Sequence, residues 1–368
     1  MISSDDFFSQ NELTTMSNQK SNPPLFRVSG NSTRPHFESA AAVEGTPLLQ
    51  TTPRERPTLL VSDDLTSHLW SRLQGSWVGL DGFNLVAVPS RGSKPTDFGD
   101  FLLITMPYIE TLTFTDPGAP APNRGGDTDQ FVAALEYHQR VTSNPGPDYK
   151  VGADNDSPTF RGELLHVETG MFLNLTKTID NQGNPAPVNG MDTDEDNFVL
   201  ARSGTIPHGD SILILGKAPE LSAGRPQIDD IGTLPTHLPP FPASVGYREP
   251  YEENGKLDNP KGNPALVLRN HLDAQEKAGQ KITNTVSFSF DSNNGGAVTN
   301  IPFIMHRANA TRVRAFFWLE TVRIAATGQE FDQLQYAQII DLEFHHFEQG
   351  KDALIGWPHV TVNTLVKQ

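Results

Sequence analysis

The chain has 368 residues, 36% of them hydrophobic and 20% charged, enough to bury a sizeable core in one large β domain or two ordinary ones. Its formal net charge of −16 argues against nucleic acid or an anionic membrane surface as the main partner, since affinity for either comes from Lys and Arg neutralising phosphates. The chain has no cysteine, which excludes disulfides, thiolate catalysis, Cys-ligated zinc, iron–sulfur clusters and a thiolate-ligated haem, and leaves His, Tyr, Met or carboxylate to hold any metal.

Residues 1–57 are rich in Ser, Asn, Thr and Pro without sustained periodicity, and such a segment buries too little apolar surface to offset its ordering entropy. A disordered N-terminal arm is expected there, followed by one folded domain over 58–368. No run is long and apolar enough to span a bilayer, and the N-terminus lacks a basic-then-apolar leader, so a soluble, cytoplasmic protein is expected. Order should begin with Ser62, Asp63 and Asp64 as cap and acidic first turn. Leu65, Leu69, Trp70 and Leu73 then follow at helical spacing, with Gly75 as the stop.

After Trp77 the pattern changes to period two. Extended runs are expected at Phe83, Leu85 and Ala87, then over residues 101–105, 109–114, 131–142, 160–175, 198–202, 211–215, 282–290, 301–306, 311–324, 334–347 and 359–366. Pro-, Gly- and Asp-rich stretches at 116–129, 144–157, 180–196 and 217–261 read as long loops over a rim or cavity. Asn263-Pro264 ahead of Ala265, Leu266, Leu268 and Leu272, with Ala278-Gly279 behind, predicts one helix. Sequential strands without intervening long helices predict a mostly-β, antiparallel up-and-down barrel, enlarged by long loops and a few short helices. Two barrels joined through 217–261 are the alternative.

Two segments carry a resemblance. Gly75-Ser76-Trp77-Val78-Gly79 opens the first strand, where a glycine permits a tight turn and a large ring can close a small barrel, and His359-Val360-Thr361 begins the last strand. Together they resemble the nitrobindin-like haem-binding barrels, relatives of the lipocalin and other calycin barrels. The resemblance implies haem b in a largely apolar pocket, His359 as the iron ligand, Trp77 and Thr361 beside the cofactor, and small diatomic or peroxide-type reactants. An arginine such as Arg307, Arg314 or Arg323 would pair with a propionate, because guanidinium binds carboxylates bidentately. The family's Gly-rich run is replaced here by residues 80–89. One strand pitch from His359 stands Trp357, which cannot bind iron.

Other residues carry chemistry independently. His166, Glu168 and Gly170 share one strand face, as an acid/base pair or a cross-strand salt link would, and glycine there allows a flat ligand to approach. His208 lies in the Pro207-His208-Gly209 turn, either solvated or reaching over a rim. Tyr137, His138 and Arg140 form a second polar group. His345 and His346 point to opposite faces, and Asp192, Asp194 and Asp196 match a calcium loop only in part. No nucleophile elbow, phosphate loop or zincin motif occurs. Three functions follow as expectations: a haem barrel with a redox, peroxide or nitrogen-oxide activity, a haem-free isomerase or dehydratase using His166 and Glu168, or a carrier of an apolar molecule or interaction module whose long loops make the contacts. The expected partner is a small-molecule ligand or substrate, with homodimerisation left open.

Overall fold

The structure, a computed structural model, describes residues 65–89, 101–118, 121–123, 130–144, 162–175, 178–179, 185–186, 198–238, 244–346 and 354–368. The N-terminal arm, the Ser62–Asp64 cap and the Asp192–Asp196 loop lie outside these residues. Helix α1 (Leu65–Leu73) carries Leu69 and Leu73 fully buried, as their spacing predicts. Ten strands follow: β1 (Gly75–Pro89), β2 (Phe101–Thr115), β3 (Gln130–Ser143), β4 (Leu164–Asn174), β5 (Phe198–Ile206), β6 (Asp210–Lys217), β7 (Gln280–Asn300), β8 (Asn309–Ile324), β9 (Glu330–His346) and β10 (Leu354–Lys367). Each pairs antiparallel with the next, and β10 returns to β1, so the ten strands close into a single up-and-down barrel without free edges. The two-barrel alternative therefore gives way to one barrel. Residues 101–105 and 109–114 join into the single strand β2, running through Pro107.

One end is closed by apolar packing. Leu69, Trp70 and Leu73 of α1 meet Trp77, Phe114, Phe172, Phe288, Phe290 and Phe317 inside the strands. Trp77 is fully buried, its Nε1 donating to the Leu73 carbonyl at 2.7 Å, so the Gly-x-Trp segment seals this end beneath the helix. Outside the wall, helix α2 (Ala265–Lys277) lays Ala265, Leu268 and Leu272 over Trp318, Val322, Ala337, Ile339, Val360 and Val362. Both faces of β8 to β10 are thus covered, with Phe317, Leu319, Leu334 and Leu365 facing the interior and Trp318, Val322, Ala337 and Val360 facing α2.

The expected strand over 301–306 is instead a helical turn, Pro302–Met305. Pro302 occupies a first-turn position where its missing N–H costs nothing, which outweighs the β-like composition. Residues 217–261 are not a bare linker. They include a short strand, Glu220–Ala223, on β7, and Ile228 and Ile231 packed with α2.

Beneath α2, Glu320 of β8 is fully buried. Its Oε2 accepts from Gln333 at 2.6 Å and its Oε1 has no partner. Burial raises its carboxyl to about 8, Gln333 and Arg225 opposing only in part. The folded protein therefore holds this proton longer than the unfolded chain. Its contribution is complete below the ordinary value of 4.5 and is lost as pH rises through 8. Glu320→Gln is expected to match the parent near pH 5 and to exceed it by about 1–3 kcal/mol at pH 9, the cost of one poorly partnered buried group. Urea unfolding at the two pH values checks this, and an equal difference at both would show that Glu320 is not desolvated.

Candidate functional site

Polar side chains line the barrel's middle, and they bond across it. Tyr108 of β2 meets Tyr336 of β9 at 2.9 Å; Glu110 accepts from Gln139 at 2.7 Å, Tyr336 at 2.8 Å and Asn363 at 2.9 Å. None of these strands adjoins every other, so the bonds can only run through the interior. Burial pushes the Glu110 carboxyl up, and its three donors work against that shift.

A second group stands beside the first. Arg202 of β5 is buried, contacts Glu168 of β4 at 2.8 Å, and donates to Gln338 at 2.8 Å and to the Tyr137 hydroxyl at 3.2 Å; Tyr137 also bonds Glu168. Desolvation alone would raise the Glu168 carboxyl, but Arg202, His166 and Tyr137 overcome it and hold it down to about 2. Glu168 is therefore a permanent carboxylate near neutral pH. Between the two groups lies a cavity of about 10 Å³ lined by Leu112, Tyr137, Gln139, Phe172, Arg202, Phe317, Tyr336 and Gln338, space for about one water.

Away from α1 the barrel ends in a cluster of histidines. His166 Nε2 lies 3.3 Å from Glu168 Oε2, and its ring centroid is 5.5 Å from that of His208, in the exposed turn between β5 and β6. His359, half-buried on β10, sits near both. Burial holds it down to about 4, His166 and His208 adding to the effect, so it is neutral at pH 7. Burial likewise lowers His208, with His166 contributing and Asp210 opposing. The Asp210 carboxyl is raised by burial, and its Oδ1 is a buried atom without a hydrogen-bond partner.

The sequence-predicted residues divide cleanly. His166, Glu168, His208, His359 and Thr361 fall at this mouth or directly beneath it. Thr361 Oγ1 donates to Asn84 Oδ1 at 3.1 Å, the oxygen that His359 Nε2 also meets at 2.7 Å. Trp77 and Arg323 do not join them. Trp77 is packed under α1 at the closed end, and Arg323 pairs with Glu330 at 3.0 Å beside the hairpin at that same end. Arg314 is engaged by Asp341 at 2.8 Å. His138 and Arg140 are exposed while Tyr137 faces inward. His345 is buried at a bulge with φ of 60°. Gly170 serves the neighbouring strand rather than a flat ligand, since a Cβ there would strike the Ser203 carbonyl.

Haem does not fit the described lining as it stands. Coordination through His359 Nε2 would break its bond to Asn84, and the interior below is filled by Tyr108, Tyr336, Gln139 and Asn363. Among the described residues no three His, Asp or Glu side chains are placed to hold a metal. No helix among them is long and apolar enough to cross a membrane.

Arg202, Glu110, Tyr336, Gln338, Asn84 and Asp210 were not singled out from the sequence. A signal existed for some: Tyr108, Glu110, Leu112 and Phe114 alternate along one face, and a carboxylate among large rings marks a buried polar layer. No family model matches the chain, and no curated protein matches it.

Proposed function

We propose that the protein is a haem-free barrel enzyme performing proton transfer on a small neutral molecule, of the isomerase or dehydratase type, with His166 as general base. The observation that supports this most is the orientation of His166 by Glu168, itself ionised and fixed by Arg202 and Tyr137. A carboxylate that stays charged holds an imidazole in one tautomer and stabilises the imidazolium formed when it takes a proton. His208, opposite His166 and neutral, turns its N–H to the Leu165 carbonyl and presents its other nitrogen as an acceptor to a substrate O–H; His359, also neutral, lines the same mouth. The proton taken by His166 is returned to another atom of the same molecule in an isomerisation, or to the departing hydroxyl to release water in a dehydration, so neither step needs an oxidant.

Deuterium incorporation next to the carbonyl of a panel of small neutral ketones in D₂O, followed by NMR, tests this. Wild type is expected to exchange above the buffer rate, and His166→Ala to lose about 10²–10⁴-fold, the usual contribution of a positioned base. Equal rates for the two proteins would overturn the reading. So would a Soret band on haem titration that disappears in His359→Ala.

A further inference from the structure

Beside the histidines the surface turns apolar. On the turn between β7 and β8, Ile301 is 50% exposed, Phe303 65% and Met305 55%, large side chains a soluble surface seldom groups together. This turn is seated on the one that carries His208. Ile301 N–H donates to the Gly209 carbonyl at 2.9 Å, and a Cβ at Gly209 would lie 2.6 Å from Ile301 Cδ1. The apolar lip is thus continuous with the polar mouth through a single residue.

The mouth also specifies a head group. His208 and His359 are both shifted toward the neutral form, Glu168 is already paired with Arg202, and Asp210 Oδ1 is buried without a donor. A carboxylate or phosphate seated among the histidines would find no free cation there, since the exposed Arg307 guanidinium lies out on the lip over the Phe303 ring at 5.6 Å, and it would meet a chain of net charge −16. A hydroxyl fits: it donates to the unprotonated ring nitrogen of His166 or His208, whose N–H groups are already turned to Glu168 and to the Leu165 carbonyl. Resting on the proton-transfer reading above, we infer that the substrate is an uncharged, hydroxyl-bearing amphiphile, its hydroxyl against His166 and His208 and its apolar part on Ile301, Phe303 and Met305.

The test uses the full chain with 1-decanol and decanoate as probes, binding being read by displacement of Nile red and by ¹⁵N-resolved histidine side-chain resonances. The expected result has three parts. 1-Decanol binds more tightly than decanoate at pH 7.5. It shifts the ring signals of His166 and His208. The exposed double variant Phe303→Ser/Met305→Ser weakens it about tenfold, as losing about 55 Å² of apolar contact at about 25 cal/mol/Å² would. Decanoate binding as tightly as decanol would overturn the uncharged head group. Unchanged affinity in the double variant, with the histidine shifts intact, would overturn the lip and leave the proton-transfer reading standing. Lip-dependent binding that leaves both histidines unmoved would instead sink the histidine reading. A double variant that turns a dimer into a monomer without altering affinity would assign the lip to self-association and overturn the inference.

Discussion

Arg202→Met should destabilise the protein by about 3–5 kcal/mol, because it strands the Glu168 carboxylate in the barrel without its cation. The pair is enclosed: Glu168 is fully buried and Arg202 nearly so, and the guanidinium also lies over the Tyr137 ring at 5.3 Å. In the parent, Glu168 falls from an ordinary 4.5 to about 2 on folding, so its stabilisation is present above 4.5 and is lost as pH falls toward 2. In the variant the same carboxyl is desolvated and keeps only Tyr137 and His166, without its permanent cation. Its proton is then held more tightly folded than unfolded, and stability should decline as pH rises past 4.5. Chemical denaturation across pH 3 to 7 reads both the loss and the reversed slope. A second variant, Arg202→Met/Glu168→Leu, should recover much of the loss, since apolar replacement of a whole buried pair is often neutral. A single-variant cost below about 1 kcal/mol would place the pair among ordinary surface ion pairs.

Trp77→Ala is expected to cost about 3–5 kcal/mol, since a fully buried ring would leave a void at the closed end that rigid strands cannot refill. Loss should also loosen α1, whose Leu73 carbonyl accepts the indole N–H, and the C-terminal Lys367, whose ammonium lies 5.5 Å from the ring centroid. Trp77→Phe separates the two contributions. It keeps most of the packing and forfeits the hydrogen bond, an expected cost of about 1 kcal/mol. Calorimetric unfolding of both variants checks this. A loss below about 1 kcal/mol for Trp77→Ala would mean that the end is closed by α1 and the phenylalanines alone.

Local features of the fold were legible because their causes are local. Helices at 65–73 and 265–277 follow from spacing and from Pro and Gly punctuation, and the strands from alternation. Ile301 to His306 misled because a run of large apolar residues suits either conformation, and Pro302 decides it only once the preceding strand ends. At the site, that His166 and Glu168 share a face is a property of period two and could be read directly.

That His166, His208 and His359 meet could not be read from the chain. They lie on β4, on the β5–β6 turn and on β10, and only closure of the ring with its particular registers, Thr169 opposite Thr205 and Asn84 opposite Thr361, brings those ends to one mouth. Closure likewise separated Trp77 and Arg323 from His359, although Trp77 and the histidine belong to paired strands, because the two residues stand at opposite ends of them. Composition and periodicity are one-dimensional and determine which residues alternate. Which side of the wall is inside, and which residues face each other across it, depend on how ten registers add up, a condition no single segment contains.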